Sequence, residues 1–396
     1  FYTAAANESN WRYLPNYLPL GMYLFGGLTA AYAGVAHLQG LSPSLIVPAN
    51  ATLTVVMKLP AILADLAITV LIYAIARRKL RTRWALLASA SYAFSLGPFL
   101  DTAVWGQTDG VVLLPVLLAL VFTLRRAGLW VGVWFALAIM VKPTPALFLP
   151  LSLVYLYRWA GWRQALSAIG SLVGVSAVVC LPYILPPHPQ LLVWPSIVAA
   201  GSKAMPSTTS DAYNLWLLVA PTRNALHPLW GSVSPSVVGN LMFFGALAVV
   251  LAGVWADASP LRLWSGASLI ALSYFTLTAM QHERYLYPAV ALLLISALYD
   301  ARRWLFYIVA SATVFLNILL AGLFRSPADT VGTALAHWRV GLIASFGLQF
   351  TLLAILCAGA NIWLTATALT LYVRAARQGN AEAGATRVAR DIKGTA

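Results

Sequence analysis

The sequence predicts an all-α, polytopic transmembrane helical bundle. Of its 396 residues, 61% are hydrophobic and only 9% are charged, and the mean hydropathy is +0.80, whereas soluble domains carry about 25% charged residues. Apolar runs that approach the roughly 20 residues needed to cross a bilayer recur along the whole chain. Because these runs leave no room for a sizeable soluble domain, we expect one transmembrane domain over residues 1–396.

Basic clusters separate the apolar runs and predict the sides of the membrane. Short loops rich in Lys and Arg stay cytoplasmic, so each cluster marks the inner face. The net charge of +14 therefore indicates topology, and we expect no nucleic-acid partner. The clusters are RRKLRTR at 77–83, Arg125 with Arg126, Arg158 with Arg163, Arg262, Arg302 with Arg303, Arg374 with Arg377, and Arg387, Arg390 and Lys393 in the tail.

The apolar runs between these clusters predict about eleven membrane crossings, counting runs near span length. Several of them, notably 128–141 and 144–157, are too short to cross alone, since about 14 residues rise only about 21 Å. We expect this pair to dip to a shared polar vertex, VKPTP at 141–145. The expected spans are 55–76, 84–100, 110–124, 128–141, 144–157, 164–185, 237–255, 263–280, 287–300, 304–323 and a long run from 340 to 373.

The apolar run 17–39 is followed by no basic cluster, which leaves two interpretations. It either crosses the membrane or forms one or two helices in or against the outer leaflet. We favour the second, with residues 1–54 external. The loop 186–236 is then external and the basic tail 374–396 cytoplasmic.

Polar motifs that interrupt the apolar pattern all fall on the predicted outer side. Ionisable residues at membrane depth are costly unless they face the bundle interior or a water-filled cavity, so each is a candidate site residue. Three of the four motifs also have a plain structural explanation: an interfacial ion pair at 282–284, a turn in which Asp109 caps a helix, and a snorkelling Lys142. The motifs are Asp101 with WGQTD at 105–109, VKPTP, SDAYNLW at 210–216 and QHERYLYP at 281–288.

An outward pocket with cations at its rim suits an anionic substrate, and the phosphate of a membrane lipid fits well. Arg offers a planar fork for phosphate oxygens, Lys a point charge, and His a further donor. We expect Arg284, His282 and Lys142 to bind this phosphate. The remaining histidines lack metal-ligand spacing, and no cofactor is assigned, although a divalent metal stays open. A nucleotide-binding loop is absent from the sequence.

Four motifs, in this order, resemble the GT-C fold membrane glycosyltransferases, especially the bacterial and archaeal enzymes described as mannosyltransferases. They are WGQTD at 105–109, KPTP at 142–145, AYNLW at 212–216 and HERYLYP at 282–288. The HER triplet is also similar to the HEK of eukaryotic dolichyl-phosphate-glucose glucosyltransferases. NYLPLGMYLF at 16–25 resembles the YPPL motif of the family's first external loop, with Leu18 in place of a proline.

The resemblance implies a polyprenyl-phosphate-linked sugar donor, transfer with inversion on the non-cytoplasmic face, and interfacial helices in the first external loop. Mannose is the sugar expected from family frequency, the acceptor is unknown, and the plasma membrane is the expected location. We expect the substrate pocket to include Trp105, Gln107, Asp109, Asn214 and Glu283, and to be closed by the helices of 17–39.

The catalytic base is not assigned. In the resembled family it is an Asp early in the first external loop, whereas residues 1–16 here contain one acid, Glu8. We expect a transmembrane helix and the catalytic Asp upstream of Phe1, with Glu8 and Asp109 as the candidates within this chain. Two alternatives stay open: a non-catalytic subunit with membrane-protein partners, and a lipid or sugar transporter, although the two halves show no repeat of the kind common in transporters.

Overall fold

A computed structural model of the protein describes residues 18–41, 51–184, 206–221, 223–325 and 351–375. These residues are mostly helical. Glu8, the first part of the predicted external loop 186–236 and most of the tail 374–396 lie outside them. The helices are α1 Pro19–Leu38, α2 Ala51–Ala76, α3 Thr82–Ala93, α4 Leu96–Phe99, α5 Asp109–Leu124, α6 Gly128–Ile139, α7 Leu149–Ala160, α8 Trp162–Ile184, α9 Leu215–Val219, α10 Pro235–Ala256, α11 Pro260–Leu277, α12 Tyr287–Ala297, α13 Trp304–Arg325 and α14 Thr351–Ala375.

Five described helices are long and apolar enough to cross a membrane: α2, α8, α10, α13 and α14. Their outer faces expose large apolar side chains such as Val70, Val173 and Leu241, as expected for surfaces in contact with lipid. Helices α5, α6 and α12 are apolar but shorter. The chain is thus a multi-helical membrane protein, and the count of about eleven crossings stays a prediction.

The expected span 84–100 is not one continuous helix. Helix α3 ends at Ala93, and the chain continues through α4 and a π-helix at Leu100–Trp105. Gly97 and Pro98 lie at this break, where the backbone approaches α13 so closely that a Cβ on Gly97 would meet Val314 Cγ1 at 2.7 Å. The expected span 144–157 also begins differently, with a 3₁₀ turn at Thr144–Phe148 before α7.

Helices α11 and α12 form the centre of the bundle. Nearly every residue of both helices is buried, including Trp264, Phe275 and Leu293. Ser259 caps the start of α11 by accepting a hydrogen bond from the Arg262 N–H at 3.2 Å, and Pro260 occupies the first turn, where its missing N–H has no cost. The segment that links these two central helices, 278–286, is therefore anchored at both ends.

Successive helices place the basic turns at one end of the bundle. Tyr155 Oη donates to Ala258 O at 3.1 Å, and Trp159 Nε1 donates to Val254 O at 2.9 Å, which joins the α7–α8 turn to the α10–α11 turn. Arg262 Nη1 donates to Tyr372 O at 2.6 Å and adds the end of α14. The polar motifs lie at the opposite end, as the alternation of helix directions requires. Which end faces the cytoplasm stays a prediction.

Candidate functional site

A short parallel strand pair fixes the polar segments relative to one another. Strand β1, Thr209–Ser210, pairs with β2, Gln281–His282, and Met280 N donates to Thr208 O at 2.9 Å. The residues after β2 form a turn that ends where α12 begins at Tyr287. His282 therefore ends the strand, Glu283 and Arg284 lie in the turn, and the expected span 287–300 begins as α12.

Asp109 lies between two cations. Its Oδ1 is 3.1 Å from Lys142 Nζ, and its Oδ2 is 3.6 Å from Arg284 Nε. Asp109 is the first residue of α5, and the residue before it, Thr108, makes no side-chain capping bond. The carboxylate thus joins the WGQTD, VKPTP and QHERYLYP segments by charge rather than capping its own helix.

Glu283 is the buried acid behind Arg284. Its side chain has no exposed surface, Oε1 is 2.6 Å from Arg284 Nη1, and Oε2 is 3.7 Å from His282 Nδ1. Burial alone would raise the pKa of Glu283, but the contact with His282 and the charge of Arg284 bring that pKa below its ordinary value. Burial disfavours the charged form of Arg284, yet Asp109 and Glu283 raise its pKa above the ordinary value. Both groups therefore stay charged near neutral pH.

Aromatic rings flank the guanidinium of Arg284. Its Cζ lies 5.6 Å from the ring centroids of both Trp105 and Tyr285, a separation typical of cation–π contacts. Trp105 precedes Gly106, whose φ of +84° requires a glycine, and a Cβ there would also meet the Lys58 side chain at 3.0 Å. Gln107 is partly buried in the same turn, and its N–H donates to Asp101 O at 2.9 Å.

Asn214 uses its side chain to hold the protein together. It donates to Phe275 O at 3.0 Å and to Thr278 O at 3.3 Å, and it accepts a hydrogen bond from Trp216 N. These bonds tie α9 to the end of α11, next to the strand pair. A contact between Asn214 and substrate stays a prediction, because every contact described for it is structural.

Helix α1 begins beside the Lys142 segment. Leu18 N donates to Val141 O at 3.1 Å, and Leu20 N donates to Met140 O at 2.9 Å. The run 17–39 is a single helix in the residues that the structure describes, with its first turn against the chain that leads into Lys142. Closure of the site by this helix stays a prediction.

A family model for glycosyltransferase family 87 matches residues 40–279. This range covers more than half of the chain and includes three of the four motif segments of the site. The chain belongs to glycosyltransferase family 87. No curated protein matches it. The match ends before His282, Glu283 and Arg284, so their assignment depends on the geometry described above.

In this family 87 glycosyltransferase, Asp65 is a site residue that sequence reasoning left unassigned. Tyr92 Oη donates to Asp65 Oδ1 at 2.8 Å, Thr102 Oγ1 donates to Oδ2 at 2.7 Å, and Tyr287 Oη also donates to Oδ1. Thr102 precedes the Asp109 turn and Tyr287 follows the Arg284 turn. One carboxylate on α2 therefore binds both segments that carry the charged cluster.

Asp101, a candidate from the sequence together with WGQTD, lies in the same part of the structure. It is fully buried, and neither carboxylate oxygen has a hydrogen-bond partner among the described residues. The carboxyl group of Asp101 interacts electrostatically with Asp109, Arg284 and Lys142. An acid inside an apolar run was the signal for both residues, but the sequence alone could not show that Asp65 and Asp101 meet the same cluster.

A cavity of about 40 Å³ lies beside Asp109. Its walls come from α5, the 3₁₀ turn Thr144–Phe148, α11 and the start of α12, and they are mostly apolar, with Tyr274 and Tyr285 among them. The described residues contain no group of three or more His, Cys, Asp or Glu placed to hold a metal. Chemically, this arrangement offers two fixed cations paired with Asp109, a carboxylate that also lines a small apolar cavity.

Proposed function

We propose that this family 87 glycosyltransferase has the GT-C fold and transfers a sugar, mannose by family frequency, from a polyprenyl-phosphate donor to an acceptor. We further propose that transfer inverts the anomeric carbon and occurs on the non-cytoplasmic face of the plasma membrane. The observation that carries this proposal is the pairing of Lys142 and Arg284 across Asp109 beside an apolar cavity.

The two cations bind the donor phosphate in this proposal. Glu283 pairs with Nη1 of Arg284, and Asp109 lies near Nε, so the guanidinium is held in one orientation. In this proposal, the N–H groups that these two acids leave free donate to a phosphate oxygen. Lys142 supplies a point charge from the other side of Asp109. Together they stabilise the negative charge that develops on the phosphate as the glycosidic bond breaks.

His282 and the neighbouring rings complete the pocket in this proposal. The His282 ring lies 5.2 Å from that of Tyr285, edge to face, and it can donate a hydrogen bond to a further phosphate oxygen. Trp105 and Gln107, in the turn before Asp109, contact the sugar in this proposal. In this proposal, Asn214 and Glu283 support the pocket through their contacts with the end of α11 and with Arg284.

Asp109 organises the cations rather than taking the proton of the acceptor. Both of its oxygens face a positive group, at 3.1 Å and 3.6 Å, so abstraction of a proton would compete with two ion pairs. Glu8 lies outside the described residues and stays a candidate for the base. The acceptor hydroxyl loses its proton to that base as it attacks the anomeric carbon.

The experiment that tests the donor class is a transfer assay with detergent-purified protein and two donors that carry the same sugar. One is a synthetic polyprenyl-phosphate sugar, and the other is the corresponding nucleotide sugar. We expect transfer from the lipid donor only. Transfer from the nucleotide sugar alone would contradict the proposal.

A further inference from the structure

A second pocket lies at the basic end of the bundle, opposite the charged cluster. It has a volume of about 480 Å³ and is lined by Tyr157, Arg158, Gly161, Trp162 and Trp255. These residues come from the α7–α8 turn and the end of α10, which the Trp159 Nε1 to Val254 O hydrogen bond holds together. The pocket shares no residue with the proposed catalytic site.

Aromatic rings hold Arg158 in place within this pocket. Its Cζ lies 4.6 Å from the ring centroid of Trp159 and 5.6 Å from that of Trp255, and the ring of Trp255 stacks on Tyr157 at 6.1 Å. Arg158 is nevertheless exposed. An arginine oriented by rings in this way presents its donors with less loss of conformational freedom on binding.

The charge around this pocket is not compensated by the acids that the structure places at this end. Asp257 pairs with Arg262 at 3.6 Å, and Asp300 pairs with Arg303 at 3.5 Å. Within the described ranges, Arg158 and Arg163 have no acidic partner. The pocket therefore favours an anionic ligand.

Helix α8 adds an apolar surface that begins at the pocket. Trp162, Leu166 and Ile169 recur at the spacing of one helix face, and their side chains are 57%, 54% and 42% exposed. Tryptophan and tyrosine are enriched at the headgroup level of membranes, and basic pockets between helix ends bind anionic headgroups. A ligand with a charged head and apolar chains fits both parts.

We propose that this pocket binds an anionic phospholipid of the surrounding bilayer. Arg158 pairs with the headgroup phosphate, Trp162 and Trp255 border the glycerol region, and the acyl chains follow the exposed face of α8. This lipid is a bound component of the membrane and takes no part in sugar transfer, so the proposal is independent of the proposed function.

The test is native mass spectrometry of the full chain in detergent, titrated with phosphatidylglycerol. We expect Arg158→Gln to weaken binding of the first lipid about fivefold, the effect of one basic residue near a membrane surface. The matched control is Arg83→Gln. Arg83 lies 5.3 Å from the exposed ring of Trp84 at the same end of the bundle, but it lines no described pocket, so its loss should leave the first binding step unchanged.

A second variant and two further ligands separate the other outcomes. Trp162→Ala, at an exposed position, should also weaken phosphatidylglycerol binding if the pocket is the site. Equal loss in the Arg158→Gln and Arg83→Gln variants would show diffuse attraction and overturn the proposal. Equal binding of phosphatidylcholine would overturn the preference for anionic lipid, and competition by millimolar inorganic phosphate would show a site for free anions instead.

Discussion

Glu283 is a buried acid on which the conformation of the 281–286 turn depends. It holds Arg284 at 2.6 Å and lies 3.7 Å from His282, so without it the part-buried Arg284 would keep only the longer 3.6 Å contact with Asp109. We therefore expect Glu283→Gln to reduce the yield of folded protein and the thermal midpoint before it affects the chemistry. Size-exclusion profiles and melting curves of the purified variant measure this, and an unchanged midpoint would contradict the structural role.

The same residue predicts how stability depends on pH. The folded-state pKa of Glu283 lies below its ordinary value of 4.5, so the ionised form stabilises the folded protein above that pH. This contribution is lost as the pH falls below 4.5 and through the lowered folded-state value. As the pH is lowered from neutral through 4.5, thermal midpoints should fall more steeply for the wild type than for Glu283→Gln. Parallel curves for the two proteins would show that other acids control the loss of stability at low pH.

At the scale of secondary-structure elements, Asp65 links α2 to the two turns of the site through Thr102 and Tyr287. Asp65→Ala removes the acceptor shared by three hydroxyl groups. Thr102 keeps its bond to Pro98 O, and one of Tyr92 and Tyr287 can donate to the other, so one tyrosine hydroxyl is left without an acceptor, at a cost of about 1–3 kcal/mol. We expect a loss of stability and a raised KM for the donor, because Asp65 no longer ties together the two segments that carry Asp109 and Arg284. Asp65→Asn retains one acceptor oxygen and should restore part of both properties.

Thr69→Val is the matched control for Asp65. The Thr69 hydroxyl donates to Asp65 O within α2, so its removal changes a bond inside one helix and no link between segments. The donor KM of this variant should stay at the wild-type value. If Thr69→Val and Asp65→Ala raise KM equally, the effect belongs to α2 as a whole and not to the carboxylate.

Helices α6 and α8 pack with their backbones in close approach. A Cβ added to Gly132 would strike Ala168 O and Ser171 Oγ, whereas a Cβ on Gly170 would meet nothing within 4 Å. Gly132→Ala should therefore lower the thermal midpoint by an amount equivalent to about 1–3 kcal/mol of overpacking. Gly170→Ala should leave the midpoint unchanged or raise it slightly, since alanine favours the helix. Similar midpoints for the two variants would contradict this packing.

Sequence patterns located most helices because apolar length and basic turns are local signals. The expected 110–124 and 237–255 runs became α5 and α10 with shifts of one or two residues. The break after Ala93 and the strand pair at 281–282 were missed, because both depend on distant partners, α13 and strand β1. The site followed the same rule: charged residue types were visible in the sequence, but the Asp65 contacts with Thr102 and Tyr287 were not.

At the scale of the whole molecule, the basic turns and the charged cluster occupy opposite ends, and the positive-inside rule predicts that the cluster faces outward. A cysteine introduced at Ser207 should react with an impermeant reagent on intact cells, and one at Gly384, outside the described residues, should not. Both variants should react after the membrane is opened. The reverse pattern on intact cells would place the cluster on the cytoplasmic side.

The central claim is that Arg284 binds the donor phosphate during sugar transfer, and the most direct measurement is the transfer rate of Arg284 variants. With a synthetic polyprenyl-phosphate sugar and monodisperse protein, Arg284→Ala should lower kcat/KM about 10²- to 10³-fold, by analogy with the loss of one oxyanion donor. Arg284→Lys keeps the charge but cannot bind two phosphate oxygens at once, so its kcat/KM should fall less than that of Arg284→Ala. A folded Arg284→Ala variant that transfers sugar at the wild-type rate would show that Arg284, Glu283 and Asp109 form only a structural ion-pair network.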